Sequence, residues 1–349
     1  MKKIKVTIIQ EKIMHYRLPL FERLSEIYDL SILCCEPVCF NAKVSFKIKT
    51  IESKIVAGFR ELKLINEIEE FKRADVLIMP FQLNFFQLIR MAMFQQFNEQ
   101  KIIFWGLDYS RNPLSNIMKI IFAYFLPNLL FYNEDIMKSF TLFLSKKTRC
   151  YVANNTVDVK PLEKIFFDKR SDFIFVGSFD KRKNLEMLID CVSYIRNQFG
   201  KRVGLKIIGD GEKNESLRKR VKDLNAESHI KFLGRIEDNE ILANEYESAI
   251  AHISPGQAGL SVLQSFAYGV PFITHENAIS GGEKNNIKNG INGFFFNTKL
   301  DLINIMVKLI EDKPLQKKLA LNSLKYYQSE ASMDNMVNGF RDAIEHEES

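Results

Sequence analysis

The stretch most able to do chemistry runs Ser254-Pro-Gly-Gln-Ala-Gly-Leu-Ser-Val-Leu-Gln-Ser-Phe-Ala-Tyr-Gly-Val-Pro-Phe-Ile-Thr274. Its residue types read as strand, glycine-rich turn, helix, glycine cap, proline and strand. The turn places Gly259, Leu260 and Ser261 where a helix begins, with backbone N–H groups that have no partner inside the helix and the positive end of its dipole. Such a terminus holds a phosphate, and a glycine at 259 leaves room for one. Gln264, one turn further on, is within reach of a ribose carried by the same phosphates. The same pattern also serves a turn that only lets a helix pack on its strand.

Other polar groups argue more by exclusion. The chain has no Asp-x-Asp pair to hold a divalent cation against a diphosphate, so no metal and no cofactor are expected. Cys34, Cys35 and Cys39 cluster without a nearby histidine to complete a tetrahedral metal site. They read as reduced thiols of a cytoplasmic protein.

These groups need a scaffold. Short β-branched runs alternate with longer amphipathic ones, the pattern of parallel strands joined by crossover helices. Strands are expected at 4–9, 30–34, 76–79, 101–104, 129–132 and 150–153, then at 173–176, 205–208, 230–233, 250–253, 272–274 and 293–295. Helices are expected at 18–24, 83–97, 134–144, 185–199, 216–224 and 260–268, and from 300 to the C-terminus. Gly177, Gly209, Gly234 and Gly256 sit just past second-half strands, where the chain must turn. Ligands of open parallel sheets bind at those carboxyl ends.

The rhythm restarts after Asn154-Asn-Thr-Val-Asp158, and the charged run at 168–172 reads as an interdomain linker. With 349 residues, two domains are expected: 1–160, completed by a C-terminal helix at about 330–349, and 165–328. Hydrophobic residues at 46% and charged ones at 26% suit a globular chain. The net charge of +6 suits anionic partners such as nucleotide phosphates or a phospholipid surface. No nucleic-acid-binding signature is present. Lys5, Gln10, Glu11 and Lys12 interrupt the apolar run after Met1-Lys2-Lys3, so the start reads as a strand. The apolar run at 117–132 is too short and too interrupted to span a membrane. The run at 81–97, with Phe85, Phe86, Arg90, Met91 and Phe94, reads as a core-facing helix, or as a face resting on the inner side of a membrane that bears a lipid-linked acceptor.

The 254–274 segment resembles the donor signature of the family 4 glycosyltransferases of GT-B fold, Pro-x-x-x-Glu-x-x-Gly-Leu-x-x-x-Glu-Ala-x-Ala-x-Gly-x-Pro-Val-Ile. Gly259, Leu260, Ala267, Gly269, Pro271 and Ile273 match it, while Gly256 and Gln264 stand at its two glutamates. Phe175-Val-Gly-Ser-Phe-Asp-Lys-Arg-Lys-Asn184 resembles the family's Gly-Arg-Leu-x-x-x-Lys-Asn loop, with Ser178 at the arginine and Lys183 at the lysine. Elements at 207–212, 230–235 and 281–293 follow in the family's order, with Asn285 in place of a glutamate. His15-Tyr-Arg17 and 154–158 are similar to elements of its polysaccharide-building members, and the last helix to one that crosses back onto the first domain.

The resemblance implies two Rossmann-like doubly wound domains facing across a cleft, and a retaining, metal-independent transfer from a nucleotide-diphosphate sugar to a glycan or lipid-linked saccharide in surface-polysaccharide synthesis. It implies that Lys183 grips the donor diphosphate; Lys181 and Arg182 are the residues available to replace the absent arginine, but each reads better as a solvated loop charge. Gly177, Ser178, Gly209 and the backbone at Leu233 would surround the nucleotide. Gln257 or the backbone at Gly256 would stand in for the lost carboxylate beside the donor sugar. Asp108, in the loop where members place a histidine, and His15 are the catalytic candidates of the first half. The departures at Ser178, Gly256, Gln264 and Asn285 keep a nucleotide-binding protein that no longer transfers in view, and the shared architecture keeps a sugar-nucleotide 2-epimerase.

Overall fold

The computed structural model describes residues 3–37, 43–63, 65–94, 100–107, 109, 112–162 and 165–346. The chain forms two compact units: Met1–Asp158 with Met333–Ser349, and Val159–Ser332. Both are α/β and Rossmann-like.

The first unit carries, in chain order, β1 (Lys5–Gln10), α1 (Leu18–Ile27), β2 (Asp29–Cys34), β3 (Lys47–Thr50), a hairpin of β4 (Ser53–Val56) and β5 (Phe59–Leu62), α2 (Glu69–Lys72), β6 (Val76–Pro80), α3 (Phe86–Met93), β7 (Lys101–Leu107), α4 (Pro113–Tyr124), β8 (Asn128–Phe131), α5 (Glu134–Thr141) and β9 (Arg149–Val152). Among the described residues its main sheet has the order β3-β2-β1-β6-β7-β8-β9, with every neighbour parallel. Sheets buried on both faces need apolar runs in place of alternation. Val-Leu-Ile-Met-Pro of β6 is buried throughout.

Each face of that sheet has its own core. Val6, Ile8 and Ile32 point to one side, with Phe21 and Leu24 of α1. Ile9, Leu33, Leu77 and Met79 point to the other, where Leu88, Ile89, Ile136 and Phe140 of α3 and α5 cover them. Within the described part of the run at 81–97, which ends at 94, Phe81, Phe85, Leu88, Ile89 and Met91 are buried in this core, while Phe94 is exposed and residues 95–97 lie outside the described residues. Its helix is shorter than expected, a 3₁₀ turn at Leu83–Phe85 followed by α3. Helix α4 behaves differently. Ala123 is its one fully buried residue.

The second unit carries β10 (Asp172–Val176), α6 (Leu185–Phe199), β11 (Gly204–Ile208), α7 (Asn214–Asp223), β12 (Ile230–Gly234), α8 (Asn239–Glu247), β13 (Ala249–Ile253), α9 (Ser261–Ala267), β14 (Phe272–His275), β15 (Gly293–Phe296), α10 (Lys299–Glu311) and α11 (Lys313–Tyr326). Its sheet, order β12-β11-β10-β13-β14-β15, is parallel throughout. The chain moves outward one way from β10 and the other way from β13, so the order reverses between these two strands. That reversal is where open α/β sheets bind ligands.

Helix α6 shows how the sequence builds the layer. Leu185, Leu188, Ile189, Val192 and Ile195 recur at three-and-four spacing and are all buried, each contributing about 1.5–3 kcal/mol. Gly200 ends the helix in the left-handed region at φ 62°. Helix α10 starts on a reciprocal capping box between Thr298 and Asp301.

The charged stretch at 168–172 is not a linker. Phe167–Lys169 forms a 3₁₀ turn, and Arg170 is buried, donating to the Gly269 carbonyl just past α9 at 2.7 Å. Burial lowers its pKa to about 10. The boundary between the units falls earlier, after Asp158.

The final helix, α12 (Met333–Glu345), belongs to the first unit. Met336, Phe340, Ala343 and Ile344 complete the core above β1 and α1, and the Phe340 ring meets Trp105 edge-on at 4.8 Å. A Cβ on Gly339 would overlap the Val152 carbonyl oxygen, so glycine sets how closely α12 lies on β9.

Candidate functional site

At the carboxyl end of β10 the chain makes a compact basic turn. Asp180 accepts the Arg182 N–H at 2.9 Å and caps the 3₁₀ turn Lys181–Lys183. Its carboxylate also takes the Arg182 guanidinium at 3.1 and 3.0 Å and the Ser178 hydroxyl at 2.7 Å. These contacts, Arg182 foremost, hold the Asp180 carboxyl down at about 2. Arg182 is thus tied within its own turn, and Lys181 is exposed. Neither is presented as a substitute for the family's arginine.

Lys183 is set apart. It is only 8% exposed, and its ammonium has no hydrogen-bond or ion-pair partner among the described residues. Burial lowers its pKa, opposed by the more distant charges of Asp180 and Glu283. A partly desolvated cation without a direct partner is stabilised by any anion that reaches it. Gly177 lines the approach: a Cβ there would lie 3.7 Å from the Lys183 Nζ and 3.2 Å from the Phe175 ring.

The next strand supplies the second wall. The Gly256 N–H donates to the Lys183 carbonyl at 3.1 Å, which seats the loop after β13 directly on the Lys183 turn. A Cβ on Gly256 would overlap the Arg182 carbonyl oxygen, so no carboxylate can be carried here in this backbone. Gln257 is held by the paired Ala258 N–H···O=C Ile279 (2.8 Å) and Ile279 N–H···O=C Gly256 (2.9 Å) bonds. Its Oε1 is buried without a partner among the described residues.

Beyond it the chain opens. A Cβ at Gly259 would meet nothing within 4 Å, and Leu260 precedes α9 with no side-chain cap. The N–H groups of Gly259, Leu260 and Ser261 donate to no described protein atom, whereas Val262, Leu263 and Gln264 close the first turn. Gln264 is half-buried on that turn. Gly177 and Lys183 follow β10, Gly256, Gly259 and Leu260 follow β13, and Ser261 and Gln264 lie on the first turn of α9, so all belong to the connections that leave the two strands at the β10/β13 reversal.

Gly209 and Leu233 line the adjoining strands. A Cβ on Gly209 would overlap the Gly177 carbonyl oxygen, and its φ of 134° suits glycine. Leu233 leaves 37% of its surface exposed near the end of β12. Ser178 is exposed and spends its hydroxyl on Asp180.

Two residues of this region were not singled out from sequence. Glu283 is 9% exposed, and its Oε2 accepts the Gly281 N–H at 3.0 Å and the Ser280 hydroxyl at 3.3 Å. Family spacing directs attention two residues further, to Asn285. His252 lies fully buried in β13, its Nδ1 2.8 Å from the Tyr246 hydroxyl and its ring stacked on Phe272 at 4.5 Å. Burial, with the nearby Lys183 charge, lowers its pKa to about 3, so it stays neutral beneath the lysine.

The first-half candidates belong to the first unit. Asp108 lies outside the described residues. His15 is exposed in a 3₁₀ turn at the end of β1. The buried member of that motif is Arg17, whose guanidinium lies 4.4 Å from the Trp105 ring centroid and donates to the Tyr132 hydroxyl at 3.2 Å.

Residues 160–326 match the family model described as Glycosyl transferases group 1. An uncharacterized glycosyltransferase of Methanocaldococcus jannaschii is 28% identical over 177 residues, which is 49% of this chain and 47% of that protein. The chain thus spans about half the length of that relative. A glycosyltransferase from Rickettsia africae superposes with a TM-score of 0.74 at 13% identity, over 99% of this chain and 98% of that one. Anabaena HepE in complex with UDP superposes with a TM-score of 0.71 at 14% identity, over 99% and 100%. At such identities the likeness is one of fold, the GT-B arrangement of two Rossmann-like units within one chain.

Proposed function

We propose that this chain, whose second half carries a group 1 glycosyltransferase domain, transfers a sugar from a nucleotide-diphosphate donor to a glycan or lipid-linked saccharide, with retention at the anomeric carbon and without a metal. The observation that carries this reading is Lys183: a mostly buried lysine whose ammonium has no ion-pair partner among the described residues, seated where the strand order of the second sheet reverses. A diphosphate supplies the missing charge. HepE, which shares the fold, was solved with UDP-glucose as well as UDP, which favours the same class of donor here.

In this reading the bond between the anomeric carbon and the diphosphate oxygen breaks as the acceptor hydroxyl oxygen joins the carbon. The hydroxyl proton passes to the departing phosphate. Positive charge grows on the sugar and negative charge on the diphosphate, so catalysis rests on donors fixed in advance around the phosphates. Lys183 and the N–H groups of Gly259, Leu260 and Ser261 fill that role. Gln264 reaches the ribose, and Glu283 serves the donor sugar in place of the carboxylate missing at Gly256. A surface polysaccharide or a lipid-linked oligosaccharide is the acceptor class that follows from the family resemblance.

The test is a panel of UDP-, GDP- and dTDP-sugars with nucleotide release as readout. Turnover with one donor is expected, and Lys183→Ala is expected to lower it by ~10²-fold or more. Unchanged turnover in that variant would remove Lys183 from the site. Nucleotide binding without release from any donor and acceptor would instead favour the binding protein that the substitutions at Ser178, Gly256 and Gln264 suggest.

A further inference from the structure

We infer that the hairpin of β4 and β5, laid against α3, binds an acidic pyranose residue that carries a single carboxylate. The hairpin follows β3 and α3 follows β6, so both stand at the carboxyl end of the first sheet, the end at which parallel sheets take ligands. Between them lies a cavity of about 570 Å³, a size that suits a small-molecule site. The inference gives the acceptor of the proposed transfer a chemical class and rests on that reading.

The walls are tied together and apolar. Gln87 of α3 holds the hairpin: its Oε1 accepts the Leu62 N–H at 2.7 Å and its Nε2 donates to the Leu62 carbonyl at 3.3 Å. Phe59 of β5 and Phe86 of α3 line the cavity, their rings 5.9 Å apart and tilted by 51°, and Phe86 in turn packs 5.4 Å from Phe122. Phe59 keeps 47% of its surface exposed. Aromatic faces are electronegative and attract the C–H groups on one side of a pyranose ring. Around them Lys54, Glu61, Lys63 and Arg90 form a polar rim that suits hydroxyl groups. An acyl chain in the same place would strip water from those charges without replacing it.

Charge sets the class of sugar. Three of the basic residues that line the cavity are already paired: Lys54 with Glu61 at 3.0 Å, Lys63 with Glu52 at 2.8 Å, and Arg60 with Glu11. Arg60 is only 9% exposed, and it also donates to the Ser53 hydroxyl at 3.0 Å while its Nε stays buried without a partner among the described residues. The fourth, Arg90, is exposed at the rim and has no ion-pair partner among the described residues. Four basic groups thus stand against three acidic ones, which leaves one positive charge. A single carboxylate balances it. A guanidinium takes both oxygens of a carboxylate at once, which makes Arg90 the residue that reads the acid.

The test is calorimetry of the full chain with oligosaccharides that end in glucuronate, galacturonate or mannuronate, each as the free acid, as its methyl ester, and with a 6-phosphate in place of the carboxylate. At least one free acid is expected to bind, and its ester to bind at least about tenfold more weakly. Arg90→Gln should weaken the acid by about tenfold and leave the ester unchanged, whereas a damaged fold would weaken both. Phe59→Ala should weaken acid and ester alike. Both side chains are exposed, so the melting temperature should hold in each variant. Failure of every acid to bind overturns the inference, as do equal affinities for acids and esters, or acid binding that Arg90→Gln leaves intact. A preference for the phosphate forms overturns the assignment to a carboxylate. Lys183→Ala should bind the acid like the parent. Acid binding by a chain that turns over no donor would remove the transferase reading and leave this site standing.

Discussion

Gly256 explains a departure that sequence comparison leaves puzzling. The family's signature has a glutamate there, and its loss reads as lost chemistry. Here the backbone at 256 is bonded to Lys183 and pressed on the Arg182 carbonyl, so glycine is what lets the two loops meet. Gly256→Glu should therefore not restore a family-like site. It should lower the melting temperature and weaken nucleotide binding by more than tenfold, since a displaced loop carries the Lys183 carbonyl with it. Tighter binding with unchanged stability would refute this account. Lys183 and the 259–261 turn were legible in the sequence because residue order and a helix start identify them. Glu283 was not, because its burial and its bonds to Ser280 and Gly281 arise two residues from the position family spacing indicates. Arg17 was visible only as part of a motif. Its burial against Trp105 and Tyr132 follows from strand order, which no local pattern encodes.

Among elements, strands whose apolar runs are buried on both faces were read to within a residue or two, as at 172–176 and 204–208. Those missed lack that signature. β3 is Lys-Ile-Lys-Thr at the sheet edge, mostly exposed, and the β4/β5 hairpin stands outside the main sheet. Helix α8 buries only Leu242 and Tyr246, too few for a clear period. At α12 the pattern was plain, but the need for Gly339 was not. Gly339→Ala adds helix propensity worth about 1 kcal/mol, yet its methyl would strike the Val152 carbonyl oxygen. We expect net destabilisation of about 1–3 kcal/mol by denaturant unfolding. A more stable variant would mean that α12 can shift without cost.

For the whole molecule, pH acts through His252. Burial sets its folded-state value near 3, below the 6.5 of a free imidazole. As pH falls below about 6.5 the unfolded chain gains a proton that the folded chain refuses. Stability that is complete above that value is then lost toward pH 3, at up to about 1.4 kcal/mol per pH unit. Denaturant unfolding at pH 7 and pH 5 should show a steeper loss in the parent than in His252→Gln. Equal losses would assign acid sensitivity to other groups. The charge of the chain is also unevenly spread. The total of +6 was read as a general affinity for anions, whereas four of those six charges come from residues 109–157, six basic against two acidic.

Because α12 completes the first unit's core, that unit cannot close when its own strands leave the ribosome. Residues 159–332 are synthesised before Met336 and Phe340 can reach their places above β1 and α1. During translation the unit of residues 159–332 is thus the first able to finish folding, while the half begun earlier waits with an open apolar groove. The molecule is assembled from its middle, and its last helix acts as the closing stitch.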